Sequence, residues 1–393
     1  MKRFLRLLIG LAFLFTTDAF AVLIFWDTNG TATGSGGPTP TGTWSADAYN
    51  WNTNSTGGDT TAIEKWGDGN FAVFAAGDDA TGAYTVYVSN VVKVADIHVD
   101  LGTVTFAPDP VAGGLLYMNA WTPEPQFTDN TNRLLSVGHK DPNATAIYNV
   151  ALTNAYGLVR YKRGTLVLGV TNGFTGPVTI EGGILKLGVL YAIPTTCPLV
   201  LANNDPARLD FNPAWQFVPA VFDTAGLNQE LGPLKLAGTD GSVLRIIDLG
   251  NGACALSFAD SSAEDWGGFA LTITNFTLGV DSLRFGTSAS GLTITQLGQI
   301  TFAGFLNLPT LIDSQGYVAP DLPRIAEITH PSGSVQLSWT AVNGRTYRVW
   351  SKEALNAGSW SNRSDVLAVG NTASYSDPGP HPAGRFYRVE VLP

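Results

Sequence analysis

Charge is scarce in this chain. Lys, Arg, Asp and Glu make up 14% of its 393 residues, while 45% are hydrophobic, which excludes a disordered chain or a coiled coil. No long stretch repeats apolar residues at i, i+3 and i+4, so almost no helix is expected. The 2 cysteines, Cys197 and Cys254, are too few for a disulfide scaffold. The 4 histidines, His98, His139, His330 and His381, are scattered, with no HExxH or other metal-ligand spacing. His98 lies in ADIHVD, whose alternation sets it beside polar neighbours as a surface histidine. No P-loop, dinucleotide fingerprint or GxSxG elbow occurs. The nearest approach to an elbow, GTSASG at 286–291, has Ser290 where a glycine should follow Ser288, and reads as a turn.

The first 21 residues stand apart. Lys2, Arg3 and Arg6 open a basic segment, Leu7 to Phe15 are apolar, and Ala19-Phe20-Ala21 is a small-residue cleavage pattern, together a secretory signal. That apolar run is too short to span a bilayer, and nothing later reaches spanning length. Without the leader the chain carries 19 Lys and Arg against 31 Asp and Glu. The excess sits in residues 22–320, with 12 basic and 25 acidic groups; residues 321–393 carry 7 and 6. So acidic a body argues against nucleic acid or an anionic membrane as partner.

What the chain does have is glycine, 44 of them, with 20 Phe, 12 Tyr and 10 Trp, the composition of many strands joined by tight turns. The clearest stretch is GTLVLGVTNGFTGPVTIEGGILKLG, 164–188. Leu166/Leu168, Val178/Ile180 and Leu185/Leu187 each alternate with polar or small residues, as half-buried strands do. Thr171-Asn172-Gly173, Gly176-Pro177 and Glu181-Gly182-Gly183 supply the corners. Three strands in about 25 residues suit one coil of a parallel β-solenoid, whose apolar faces are covered only when coils stack. The stretch resembles the autotransporter-associated β-strand repeat of secreted bacterial proteins, with Val159-Arg160-Tyr161-Lys162-Arg163 at its lead-in. That resemblance implies an exported β-helical protein; a single copy is evident. The segments at 256–276 and 281–305, with GYVAP at 316–320, resemble stretches that recur downstream of the repeat in such proteins.

The expected organisation is all-β. A signal peptide (1–21) precedes a Trp/Gly-rich cap region (22–106), a parallel β-solenoid (β-helix) body (107–320) and a small C-terminal β-sandwich (321–393). In the cap region Val91–Val99 reads as a strand; in the body Pro108–Pro125 reads as loop, Arg208–Phe211 as a strand, and Thr295–Leu297 as a helical turn. At one coil per ~4.8 Å, Cys197 and Cys254 would lie about 10–15 Å apart, beyond the ~7 Å Cα limit for a bridge, and are read as buried thiols. In the last segment Val335/Leu337/Trp339 and Tyr387/Val389/Val391 each share a face, and Asn343-Gly344 is a hairpin signal between 335–341 and 345–352. The segment resembles a fibronectin type III or immunoglobulin-like module, shortened by an edge strand. No strand series of a membrane translocator barrel follows it, unlike a true autotransporter.

Two uses compete for Trp26, Trp44, Trp51 and Trp66. They can cover the first open coil of the solenoid, or they can form a carbohydrate-binding platform. Capping is favoured, because glycine-rich loops pack well on tryptophan. Carboxylate pairs are the remaining route to catalysis or calcium. Asp78-Asp79 and Glu264-Asp265 are sequence neighbours whose side chains would diverge, and no calcium-loop spacing surrounds them, so both read as solvated loops. No catalytic residue, cofactor or metal ligand is assigned. The function expected is a secreted, non-enzymatic structural or adhesive cell-surface protein. The alternative is a carbohydrate-binding or polysaccharide-degrading β-helix protein, and extracellular polysaccharide or another cell-surface component is the expected partner.

Overall fold

The computed structural model describes residues 22–58, 63–118, 132–153, 156–203, 217–305, 308–356, 358–378 and 384–392. The leader, the expected strand at 208–211 and His381 lie outside them. The described chain is almost all strand, in two 10-stranded sheets, a 5-stranded sheet and three 3-stranded sheets.

The central stretch shows how these arise. Gly157–Tyr161 pairs in parallel with Val178–Ile180, and that strand with Leu199–Leu201 and then Leu234–Leu236, all in the first large sheet. The intervening strands, Thr165–Leu168 and Gly183–Leu187, pair in parallel in the second. The chain thus visits the two sheets in turn. All six alternating residues, Leu166, Leu168, Val178, Ile180, Leu185 and Leu187, are buried to 1% exposure or less, as their period of two requires.

The second sheet is parallel from Gly42–Trp44 to Ile300–Phe302. Its register aligns one interior position on nine successive strands: Tyr84, Val104, Ala146, Leu166, Leu185, Phe222, Ile247, Ile273 and Phe302. All nine are buried. Thr103–Pro108 pairs on both sides within this sheet, so the expected boundary at 106/107 falls inside a strand and the N-terminal stretch shares the body's sheets.

Pairing turns antiparallel at both ends. Leu23–Trp26 pairs antiparallel with Tyr49–Asn52, and that strand with Glu64–Lys65. At the far end Ser282–Phe285 pairs antiparallel with Tyr317–Pro320, which pairs back on Thr310–Ile312. The expected helical turn is the α-helix Ile294–Gly298, closed by a capping box between Thr293 and Gln296.

Two strand expectations are corrected. Val91–Val99 is not one strand: it turns a corner at Ala95, whose N–H bonds Asn70, and its halves, Asn90–Val94 and Asp96–Val99, join different sheets. Gly114–Met118, within the expected loop, is a strand paired with Asn90–Val94, because Leu116 and Met118 find a buried face there.

An arginine sits inside the stack. In the first sheet Arg160 occupies an interior position between Leu135 and Ile180 and is fully buried. Its guanidinium donates to the carbonyls of Tyr161, Gly164 and Ile184, holding the corner before Thr165 closed. Burial lowers its pKa to about 9, because the charged form loses its hydration. Gly183 (φ +70) leaves room for that guanidinium: a Cβ there would meet Arg160 Nη2 and the carbonyls of Gly164 and Arg163. Arg245 repeats the device, donating to the carbonyls of Ala237, Val243 and Asp240 beneath the ring of Phe269.

Residues 325–391 have a core of their own, Val335, Leu337, Trp339, Tyr347, Val349, Ala368 and Ala373. Two 3-stranded antiparallel sheets surround it: Ile325–Thr329, Val335–Thr340 and Thr372–Asp377, then Ser361–Leu367, Thr346–Lys352 and Phe386–Val391. The expected hairpin at Asn343-Gly344 does not form. Its two flanking strands lie in different sheets, and the turn carries the chain between them. It is held there by Gly370 N–H on Asn343 Oδ1, Gly344 N–H on the Ala368 carbonyl and Val342 N–H on the Tyr347 hydroxyl. Pairing the strands directly would leave the apolar faces of both without a partner sheet, and burial decides the matter.

Candidate functional sites

The four N-terminal tryptophans come together, but inward. Trp26, Trp44 and Trp51 are fully buried and Trp66 is 5% exposed. Trp44 packs edge-on to Trp51 and Trp66 with ring centres 5.2 and 4.9 Å apart, and against Phe74 at 5.5 Å. Trp26 meets Trp51 at 5.2 Å, and Phe74 continues the cluster to Phe106 and Tyr148. The indole N–H of Trp26 donates to Pro40 and that of Trp66 to Lys93. A pyranose stacks on an open ring face, and these four offer none; the platform geometry is absent from them.

The loops wrapping this cluster absorb the acidic pair. Asp79 accepts from the N–H and hydroxyl of Ser35 and from the N–H of Gly37. Burial raises its pKa, but these hydrogen bonds outweigh burial and leave the carboxyl below its ordinary value. Asp78 instead bonds Lys140 at 2.6 Å. Of the other pair, Asp265 accepts from the Gly267 N–H, while the Glu264 carbonyl receives the Gln296 amide. His98 is half-buried rather than on the surface, because its strand lies mid-sheet with Val73 and Ser136 beside it. Among the described residues no group of three or more His, Cys, Asp or Glu could hold a metal ion.

Both thiols are buried and unpaired. Cys197 faces the Phe174 carbonyl and Cys254 the Leu227 carbonyl and Thr224 hydroxyl. Burial pushes the Cys197 thiol up to about 11.

Of the eight tryptophans among the described residues, six are buried; Trp350 and Trp360 are only half-buried. Thr346–Lys352 alternates, so Tyr347, Val349 and Ser351 face the core while Arg348, Trp350 and Lys352 face out. Arg388, directly across from Trp350, sets its guanidinium 5.2 Å from that ring centre and 5.1 Å from Trp360. Arg348 approaches Trp350 at 5.7 Å and Lys352 approaches Trp360 at 5.5 Å. The Trp350 indole donates to Glu390 Oε2 at 2.7 Å, and Arg348 grips Asp365 with two bonds of 2.7 Å. That fork holds the Asp365 carboxyl below its usual pKa. The hydropathy alternation of RVWSK, read together with FYRVE, carries this face in the sequence; what the sequence did not show is that the two segments pair and that Trp360 folds back beside them.

The edge of Phe386–Val391 also borders a cleft of about 620 Å³. One wall is residues 388–392; the other is Phe305, Leu308, Leu322 and Pro323, from the end of the body and the connecting segment. No family model, curated protein or solved structure matches the chain.

Proposed function

We propose that this chain is an exported, non-enzymatic parallel β-solenoid that carries a small β-sandwich at its end and serves a structural or adhesive role at the cell surface. The observation that carries the reading is the nine-residue interior ladder in unbroken parallel register. Stacked coils of this kind make a stiff rod whose stability is summed from neighbour contacts. The antiparallel strands at its two ends fit the role of caps, since an open parallel edge invites pairing with other chains. In this reading the buried tryptophans are part of the N-terminal cap, and Arg160 and Arg245 are corner ties. Export rests on the leader pattern of residues 1–21. Among the described residues no helix is long and apolar enough to cross a membrane.

Beads coated with the full chain should be retained on cell-wall or biofilm material under flow, and the chain should release no reducing ends from neutral or acidic polysaccharides. Release of sugar ends the non-enzymatic reading; beads that wash off like uncoated ones end the adhesive one.

A further inference from the structure

We infer that the outward face of the C-terminal unit, Trp350 and Trp360 with Arg388, Lys352 and Glu390, binds a neutral polysaccharide chain that continues toward the cleft beside residues 388–392. The inference rests on the adhesive reading and names its ligand.

Three observations carry it. First, the fold buries every other described tryptophan, yet leaves these two only half-buried, both within about 5 Å of one guanidinium. Aromatic surface left exposed in a protein that can bury it elsewhere marks a binding surface. Second, the face is pre-set. Trp350 is anchored through its indole N–H to Glu390, and the cations lie against the rings, so little freedom is lost on binding. The ring surface that the cations leave uncovered takes the C–H side of a pyranose, and the charged groups around it offer donors and acceptors to its hydroxyls. Third, an apolar-walled cleft edged by the same Arg388 and Glu390 adjoins the face, the concave form that ligand sites take.

The same chemistry selects the ligand class. Arg348 is matched by Asp365 and Arg388 lies 3.8 Å from Glu390, which leaves Lys352 as the surplus cation of the face, a small field with which to draw a polyanion. The body behind it, with 25 acidic against 12 basic residues over 22–320, repels one. A neutral glycan needs no such field.

The test is affinity electrophoresis of the full chain in native gels containing hydroxyethyl cellulose, xyloglucan or galactomannan, with alginate as the acidic arm. At least one neutral polymer should retard the wild type. Trp350→Ala and Trp360→Ala should each weaken retardation tenfold or more at an unchanged melting midpoint, and Arg388→Gln should weaken it severalfold. Should Trp350→Ala unfold the unit, Trp360→Ala and Arg388→Gln, which remove no buried side chain, decide the matter. No retardation by any neutral polymer, retardation by alginate alone, or retardation indifferent to these variants overturns the inference. So does bead adhesion that is lost in Trp350→Ala but depends on protease-sensitive material, which would make the face a protein-docking surface. Any of these while the coated beads are still retained leaves the adhesive reading in place.

Discussion

Removing the Trp44 side chain tests the N-terminal aromatic cluster most directly. Trp44 is fully buried and meets four aromatic rings, Trp51, Trp66, Phe74 and Phe106, at 4.9 to 6.3 Å. Emptying a buried Trp site costs about 3–5 kcal/mol from lost transfer energy and the residual cavity. The edge-on ring pairs add to this, though less than pairwise sums suggest, since the four neighbours also touch one another. The indole N–H has no hydrogen-bond partner, so Trp44→Ala orphans no acceptor and relieves one buried donor. The net expectation is about 3–4 kcal/mol. Trp26→Ala should cost about 1 kcal/mol more, because it strands the Pro40 carbonyl that its N–H reaches at 2.7 Å. Urea unfolding followed by far-UV circular dichroism gives both numbers. Sedimentation velocity adds a second readout, since losing Trp44 loosens Gly42–Trp44, the first strand of the second sheet, and bares the edge behind it. A loss below about 1 kcal/mol for Trp44→Ala would refute the packing argument. A larger loss for Trp44→Ala than for Trp26→Ala would refute the hydrogen-bond accounting.

Four further predictions follow from particular contacts. Leu187→Asp places a charge in the interior beside Leu168, its register partner, and should cost several kcal/mol in the same unfolding assay; a wild-type midpoint would remove that position from the core. Gly183→Ala forces a side chain into a φ of +70 and against Arg160 Nη2, so it should destabilise, and Arg160→Ala combined with it should recover part of that loss; strict additivity would separate the two residues. Asp79 has its folded pKa below the ordinary value near 3.8, so the stability it contributes is full above that value and is lost as pH falls through the lower folded one; the gap between wild type and Asp79→Asn should be flat from neutral pH down to about 4 and close below it, and a gap that widens on acidification contradicts the assignment. Cys197 and Cys254 should react with a disulfide reagent only on unfolding, so two fast-reacting thiols in the native chain would show that these sites open.

Local pattern settled what local physics controls. The alternation of 164–188 named the inward residues correctly, because a period of two admits a single buried face. The strand class followed from glycine-punctuated β-branched and aromatic runs, and the unpaired thiols followed from their spacing. The helical turn at Thr295–Leu297 was likewise expected, whereas the capping box between Thr293 and Gln296 that closes it came only from the structure. Partner choice was not local. Asn343-Gly344 has the chemistry of a hairpin, yet the apolar faces on either side needed opposite sheets, and packing overrode the turn signal. Arg160 reads as part of a basic lead-in until the fold places it between Leu135 and Ile180, where only backbone carbonyls can satisfy it. The tryptophans show the division most plainly. Ring count and spacing were open in the sequence, but whether a ring is buried depends on strands tens of residues away. Tertiary packing turned Trp26, Trp44, Trp51 and Trp66 inward and left Trp350 and Trp360 half-open, because only the former have a second layer of strands to pack against.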